Sequence, residues 1–194
     1  PIIKEFTKKK AKVILISHLG RPKGKYLNEF SLKIIVDKLE ELSNKKVWFC
    51  DNDIKNLNKD FLKNKFVDFD IILLENLRFV PEEEKANDKF VNKLSSLADI
   101  YINECFSCSH RNHSSISGIP KVLPSFPGML LEKEIQNLKK LILTSSELNT
   151  VAVLGGSKIS TKIKLIEYYA KKFSKILIGG AMANTICLAL GNEI

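Results

Sequence analysis

The feature of this sequence that most constrains its fold is a repeated pattern, in which a short apolar run ends abruptly on a polar, cationic loop. The first example spans residues 12–24, KVILISHLGRPKG, where residues 13–16 predict a buried strand and SHLGRP predicts a loop. Segments with helical spacing separate the later runs, and this alternation is typical of βαβ units with a mostly parallel sheet. The chain is therefore predicted to have an α/β fold.

The remaining elements follow the same logic. Further strands are predicted at residues 46–49, 70–75, 99–103, 150–154 and 175–178. Helices are predicted behind a Ser31 N-cap and over residues 129–143, 160–173 and 181–190. The segment Pro81-Glu82-Glu83-Glu84 predicts another helix start, since proline and carboxylates favour a first turn. A proline-rich passage at 120–128 predicts a domain junction.

Length, composition and charge limit the class of protein. The 194 residues, 44% hydrophobic and 27% charged, suit one full globular domain and part of a second. The net charge of +9 favours an anionic partner, either a nucleic acid or a small phosphorylated metabolite. Four irregularly spaced cysteines do not suggest a disulfide framework, and no apolar run is long enough to span a membrane. A cytoplasmic protein is expected.

All three arginines follow predicted strands. Arg21, Arg78 and Arg111 lie in or near such loops, and ligands of open parallel sheets bind outside the carboxyl ends of the strands. A guanidinium group presents a planar fork of donors that matches phosphate or carboxylate. With His18 and His110 nearby, these loops predict a site for a small polyanion, although any one arginine is equally consistent with an ordinary surface position.

The loop at residues 104–117 contains Cys105, Cys108, His110 and His113, which are residue types that bind zinc. The spacing does not fit, because a zinc finger needs a long stretch between its cysteine and histidine pairs. A redox C-x-x-C motif usually begins a helix after the first strand, which is not the position here. Small buried cysteines are the favoured interpretation.

A glycine pair follows each of the last two predicted strands. The segment Gly155-Gly156-Ser157-Lys158 lacks the spacing of a P-loop, so a simple tight turn remains one interpretation. The other is a phosphate site, because glycines let backbone N–H groups approach an anion and a helix N-terminus adds donors. Lys158 and Lys162 are four residues apart and are expected on one face of the first turn.

Taken together, the loops resemble those of phosphoglycerate kinase. The matching segments follow the family's order and span nearly the whole chain: SHLGRPKG (17–24), LLENLRF (73–79), PEEE (81–84), HRNHSS (110–115), PGMLLEKEI (127–135), VAVLGGSKISTKI (151–163) and LIGGAMANT (177–185). The resemblance implies two Rossmann-like three-layer α/β/α lobes with parallel sheets, the second incomplete. It places the substrate-binding lobe at 1–126, an interdomain helix and linker at 127–145, and the start of the nucleotide-binding lobe at 146–194.

The resemblance also implies a function: reversible transfer of the 1-phosphoryl group of 1,3-bisphosphoglycerate to ADP, giving 3-phosphoglycerate and ATP in glycolysis, with hinge closure that excludes water. The implied substrate-binding residues are His18, Leu19, Gly20, Arg21, Arg78, His110 and Arg111. The implied nucleotide-binding residues are Gly156, Ser157, Lys158, Lys162 and Gly180. Lys158 and Lys162 are also the implied catalytic residues, because charge neutralisation and positioning dominate phosphoryl transfer.

The chain departs from the family in several places. Residues 103–109 read Asn-Glu-Cys-Phe-Ser-Cys-Ser where the family usually has Asn-Asp-Ala-Phe-Gly-Thr-Ala. The family's first strand and its acidic Mg²⁺ ligand have no counterpart here. We therefore expect an unpaired apolar sheet edge or an uncovered face beside residues 13–16. No metal ligand is expected, with Mg²⁺ arriving on ADP or ATP. The fragment alone is expected to be an inactive monomer.

One alternative from another class stays open, a non-catalytic anion-binding module derived from the same lobe. Neither a nucleic acid nor a membrane is expected as a partner. A nucleic-acid surface requires neither the GGSK segment nor the HLGR loop. The salt dependence of binding distinguishes nucleic acid from a small metabolite.

Overall fold

The computed structural model describes residues 1–144, 150–156, 159–160 and 162–193, with the side chains of 141–144 excepted. Helices and strands alternate, and the paired strands are parallel, which confirms the predicted α/β class. The chain divides into two compact units, Pro1–Glu132 and Lys133–Ile194. The finer division into 1–126, 127–145 and 146–194 stays a prediction.

The first unit contains both helices and short strands. Its helices are α1 (Ile2–Lys8), α2 (Val36–Ser43), α3 (Lys59–Lys65) and α4 (Asp88–Ser95). Its strands are β1 (Val13–Leu15), β2 (Val47–Cys50), β3 (Ile71–Leu74), β4 (Tyr101–Asn103) and β5 (Ser125–Pro127). Helix α5 (Met129–Thr144) begins in this unit, and its limits agree with the predicted helix at 129–143.

The core is organised around β3. The sheet order is β1-β3-β2, so β3 is central, and all four of its residues are buried. Ile72 and Leu74 belong to one apolar cluster, which includes Leu62 and Phe90, whereas Ile71 and Leu73 belong to another. Because alternate residues of a strand point to opposite faces, both faces of the sheet are covered.

Strand β1 lies at an edge of its sheet. It pairs with β3, and among the described residues no strand pairs with its other side. Its residues are only half-buried, in contrast to those of β3. This is the apolar edge that was expected beside residues 13–16. A separate parallel pair, β4 with β5, has the register Tyr101↔Ser125.

The predicted helix start at Pro81 is wrong. Residues 81–86 form turns, and α4 begins only at Asp88, with the Asn87 side chain accepting a hydrogen bond from the Phe90 N–H at 3.2 Å. Ala86 has a φ of 49°, a left-handed conformation that a helix does not allow. The predicted Ser31 cap is present, but it opens a 3₁₀ turn, Leu32–Ile35, before α2.

The second unit contains β6 (Val151–Gly155), α6 (Ile163–Lys172), β7 (Lys175–Gly179) and α7 (Ala181–Ala189). Strands β6 and β7 are parallel, with Gly155 opposite Gly179. Helix α6 begins later than the predicted residue 160, and Lys162 is its N-cap. Among the described helices, none is long and apolar enough to cross a membrane.

Candidate functional site

The loops that leave β1 and β3 meet at the carboxyl ends of the two strands. The strands are parallel, so their exits lie at the same edge of the sheet. The Leu77 N–H donates to the carbonyl oxygen of Ser17 at 3.1 Å, and this bond ties the two loops together. The residues after each strand, His18 to Arg21 and Asn76 to Arg78, are thus held side by side.

Arg78 is the most buried cation of this site, with an exposed fraction of 5%. Its Nη1 donates to the carbonyl oxygen of Gly20 at 2.8 Å. The neighbouring Asn76 side chain accepts from the Arg78 N–H at 3.0 Å and donates to the carbonyl oxygens of Leu19 and Phe30. The amide and the guanidinium together fix the path of the loop after β1.

Gly20 has a conformation that only glycine adopts easily, with a φ of 64°. A Cβ atom at this position would lie 2.5 Å from the ring of Phe30. The carbonyl oxygen of the same residue accepts the hydrogen bond from Arg78. The glycine in HLGR is therefore required by backbone geometry as well as by space.

Two buried carboxylates support the site, and the sequence motifs did not single out either of them as a site residue. Glu75 accepts hydrogen bonds from the Ser31 hydroxyl at 2.7 Å and from the Leu32 N–H at 2.8 Å. Glu83 accepts from the Ser115 hydroxyl at 2.5 Å and from its N–H at 3.1 Å. The first anchors the segment at Ser31 to the end of β3, and the second anchors the loop that carries Arg111.

Burial raises the pKa of Glu83, and the hydrogen bonds from Ser115 offset part of this effect. His113 Nδ1 lies 3.9 Å from a Glu83 oxygen, so the two groups form an ion pair only when the imidazole is protonated. The second histidine of HRNHSS was the available sequence signal for His113, which the predicted site did not include.

The histidines and arginines of the loops that follow β1, β3 and β4 influence each other electrostatically. Burial lowers the pKa of His18, and the positive charge of Arg78 lowers it further, with His113 and Arg111 contributing in the same direction. The pKa of His113 is lowered by burial and by Arg78. Both shifts favour the neutral imidazoles of His18 and His113 in the free protein, and a bound anion would favour their protonated forms.

Two of the arginines have a buried donor that makes no hydrogen bond with the described residues. The Nε atoms of Arg78 and Arg111 are buried, and in the part of the chain that the structure describes neither has a hydrogen-bond partner. Arg78 Nε lies 3.4 Å from a Glu84 oxygen, an ion-pair distance without hydrogen-bond geometry. Because unpaired buried donors are costly, these two point to an anionic ligand.

The other predicted substrate residues lie at the periphery. Arg21 and His110 have exposed side chains, and Leu19 is 38% exposed with its carbonyl bound to Asn76. The structure thus places His18, Gly20, Arg78 and Arg111 in one cluster and leaves Arg21 and His110 open to solvent.

The glycine pairs of the second unit meet at the ends of β6 and β7. Gly156 has a φ of 141° and Gly180 a φ of 66°, and a Cβ on Gly180 would lie 3.6 Å from the Gly156 backbone. Lys162 Nζ donates to the carbonyl oxygen of Gly155 at 2.5 Å. The Met182 N–H donates a hydrogen bond to the carbonyl oxygen of Gly156 at 3.0 Å. The predicted residues Ser157 and Lys158 lie outside the described residues.

These features define an α/β protein with a basic, donor-rich site at the strand ends of one unit and a glycine–lysine site at the strand ends of the other. Both arrangements suit phosphorylated small molecules. The family model described as phosphoglycerate kinase matches residues 1–194. The chain belongs to the phosphoglycerate kinase family.

Relatives with that name are similar along nearly the whole chain. The phosphoglycerate kinase of Wolbachia sp. subsp. Brugia malayi (strain TRS) is 46% identical over 189 residues, which cover 97% of this chain and 46% of the relative. That of Pelotomaculum thermopropionicum is 40% identical over 194 residues, which cover 100% of this chain and 49% of the relative. The chain thus spans about half the length of these relatives.

Solved structures of phosphoglycerate kinases are also similar to the whole of this chain. Phosphoglycerate kinase from Coxiella burnetii matches with a TM-score of 0.81 at 32% identity, covering 100% of this chain and 48% of that one. The enzyme from Pyrococcus horikoshii OT3 matches with a TM-score of 0.80 at 29% identity, covering 100% and 49%. The predicted Rossmann-like fold is confirmed by these matches.

Proposed function

We propose that this chain supplies the phosphoglycerate site and part of the nucleotide site of a phosphoglycerate kinase. The reaction is the reversible transfer of the 1-phosphoryl group of 1,3-bisphosphoglycerate to ADP, in which a carboxyl group accepts the phosphoryl group in the reverse direction. Family membership supports the kinase class. The observation that carries the assignment of the first site is the pair of buried Nε atoms on Arg78 and Arg111 that have no hydrogen-bond partner among the described residues.

The substrate anion is bound by groups with distinct roles in this proposal. Arg78 and Arg111 donate to its phosphate or carboxylate, since a charged donor fork matches both groups. His18 adds a third donor, and it takes up a proton when the anion binds. The exposed Arg21 and His110 complete the site from its rim. Leu19 and Gly20 hold the loop through their carbonyl oxygens, which Asn76 and Arg78 already occupy.

The nucleotide side depends on backbone donors and lysines. Gly156 and Gly180 leave room for phosphate oxygens to approach the ends of β6 and β7, and Ser157 and Lys158 are proposed to contribute there. Lys162 neutralises charge on the phosphoryl group during transfer, where electrostatic stabilisation supplies most of the catalysis. Its bond to Gly155 holds the ammonium group at the strand ends before the ligand arrives.

The described residues do not provide a set of side chains that could hold Mg²⁺. They contain no group of three His, Cys, Asp or Glu side chains placed to hold a metal ion. No step is therefore assigned to Mg²⁺ on this part of the protein. Since the chain spans about half the length of its relatives, we propose that turnover requires the rest of the enzyme. The monomeric state stays a prediction.

Calorimetric titration of the chain with 3-phosphoglycerate and, separately, with ADP tests this assignment. Arg21→Ala should weaken 3-phosphoglycerate binding by roughly 10- to 150-fold, since one charge-assisted hydrogen bond contributes about 1.5–3 kcal/mol, and leave ADP binding unchanged. Lys25→Ala, which removes the same charge from an exposed position in the same loop, is the control. Equal losses for both ligands would contradict the separation into two sites.

Titration with a DNA duplex at two salt concentrations tests the alternative class. Binding to a duplex falls steeply as salt rises, because it depends on counterion release. Duplex binding stronger than 3-phosphoglycerate binding would favour a non-catalytic anion-binding module. Selective binding of 3-phosphoglycerate would support the kinase.

A further inference from the structure

The loop after β4 contains a pair of thiols that the proposed reaction does not use. Cys105 is half-exposed and Cys108 is 7% exposed, so the pair is not the two buried cysteines that the sequence favoured. A 3₁₀ turn, Phe106–Cys108, begins directly after Cys105. The Cys108 N–H donates to the Cys105 carbonyl oxygen at 3.2 Å. The C-x-x-C spacing therefore closes a tight turn.

The turn has the dimensions of a disulfide. Residues at the two ends of such a turn have Cα atoms within about 7 Å, and disulfides join Cα atoms about 4.4–6.8 Å apart. The two thiols are close enough to influence each other, since Cys108 contributes to lowering the pKa of Cys105 and Cys105 contributes to raising the pKa of Cys108. Cys105 Sγ also lies 3.6 Å from the Ser107 hydroxyl. A disulfide can thus form without moving the chain far.

The two thiols differ in the way a reactive pair requires. Burial alone would raise the pKa of Cys105, but hydrogen bonds from Ser107 and Cys108 and the charge of Arg78 outweigh it, so the pKa is lowered. Burial and the neighbouring Cys105 raise the pKa of Cys108. Since the thiolate is the nucleophile and Cys105 is also the more exposed thiol, Cys105 is assigned as the attacking group and Cys108 as the resolving group.

Cys108 also contacts the candidate substrate site. Its Sγ lies 3.8 Å from His18 Nε2, on the loop that follows β1. We propose that Cys105 and Cys108 form a reversible thiol–disulfide site, oxidised by disulfides of low molecular weight, and that oxidation withdraws the Cys108 thiol from His18. The proposal stands apart from the proposed function, because neither the disulfide nor the His18 contact involves a substrate.

The chemistry balances with a disulfide such as glutathione disulfide as the oxidant. The Cys105 thiolate attacks one sulfur, the S–S bond of the oxidant breaks, and one glutathione thiolate leaves. Cys108 loses its proton and attacks Cys105 Sγ in the mixed disulfide, and the second glutathione thiolate leaves. Two protein thiols are oxidised to one disulfide, and the oxidant is reduced to two thiols, which take up the two protons.

Peptide mass spectrometry tests the disulfide directly. The chain is equilibrated in buffers of graded glutathione disulfide and glutathione, alkylated and digested with trypsin, which releases residues 94–111 with both cysteines and no other. The ratio of oxidised to reduced peptide should rise with glutathione disulfide and fall with the second power of glutathione. Dependence on the first power, which a mixed disulfide gives, or an unmodified peptide would overturn the proposal.

The other cysteines serve as internal controls. Cys187 is exposed, and we expect it to form only a mixed disulfide, whose ratio to the free thiol depends on the first power of glutathione. Cys50 is fully buried, and burial raises its pKa to about 11, so it should stay reduced. In Cys108→Ser the same peptide should carry one glutathione in place of the disulfide. If that variant does not fold, the wild-type peptide still decides the outcome.

Nuclear magnetic resonance of the histidine side chains tests the contact. The ¹H–¹⁵N signals of His18, assigned with His18→Gln, should shift on oxidation of the wild-type chain and return with dithiothreitol. Identical treatment of Cys105→Ser, which cannot form the pair, should leave them in place. A disulfide that forms without moving the His18 signals would overturn the second half of the proposal.

Discussion

Arg78 Nη1 donates a hydrogen bond to the carbonyl oxygen of Gly20 at 2.8 Å, and this bond joins the exits of β3 and β1. One guanidinium group therefore organises the loop of the candidate site while its buried Nε has no hydrogen-bond partner among the described residues. The structural contact and the proposed binding contact therefore involve the same side chain, and Arg78→Lys, which keeps the charge, tests the structural one.

Arg78→Lys keeps the charge but loses the planar fork, so the Gly20 carbonyl oxygen loses its donor. We expect the free energy of unfolding of the first unit to fall by about 1–3 kcal/mol, the cost of an unsatisfied buried acceptor. Urea unfolding followed by the fluorescence of Trp48, the single tryptophan and a residue of β2, measures it. Arg21→Lys, at an exposed position, should change stability little. Equal effects would contradict the role of the Gly20 bond.

Gly20→Ala should destabilise the same unit. An alanine at a φ of 64° costs about 1–2 kcal/mol, and its Cβ would also meet the Phe30 ring at 2.5 Å. Lys23→Gly is the matched control with the opposite sign, since Lys23 in the same loop has a φ of 56° and glycine relieves that strain. The urea concentration at the midpoint of unfolding, followed by Trp48 fluorescence, should fall for Gly20→Ala and not for Lys23→Gly.

The sequence predicted the strand elements well because a buried parallel strand is encoded locally, by a short run of apolar residues such as that of β3. It did not predict β5, whose residues Ser125–Pro127 lie in a proline-rich passage and are extended because they pair with β4. That pairing joins segments distant in sequence, and no local pattern records it.

The candidate site, too, was predictable where local sequence determines it and not where tertiary contacts do. The strand-exit arginines were predicted from their positions, but their different burial was not, because it depends on tertiary contacts such as those of Arg78 with Gly20 and Glu84. The helix wrongly predicted at Pro81 has a related cause. Its carboxylates suit a helical first turn, yet Glu83 is buried against Ser115, and this tertiary contact overrides the local preference.

Glu83 gives a prediction for the pH dependence of stability. Its pKa in the folded state is raised, chiefly by burial, so its contribution to stability is fully present below the unfolded value near 4.5 and is lost as the pH rises through the folded value. Glu83→Gln should therefore flatten the stability profile above pH 4.5, measured by urea unfolding with Trp48 fluorescence.

Glu82→Gln is the control for that profile. The pKa of Glu82 is lowered, first by its hydrogen bond with Lys55, so its contribution has the opposite sign and is lost as the pH falls below 4.5. This substitution should leave the slope above pH 4.5 unchanged. A profile that flattens equally in both variants would show that the buried position of Glu83 does not determine it.

Lys162 is expected to affect nucleotide binding alone. Its Nζ is held at the end of β6 by the Gly155 carbonyl oxygen, beside Gly156. Lys162→Ala should weaken ADP binding by roughly 10- to 150-fold, the effect of losing one charged hydrogen bond, and leave 3-phosphoglycerate binding unchanged. Calorimetric titration measures both affinities. Lys164→Ala removes the same charge from an exposed position two residues further along α6, and it should bind ADP like the wild type. If both variants lose ADP affinity equally, the effect is one of overall charge, and the position of Lys162 at the strand end has no special role.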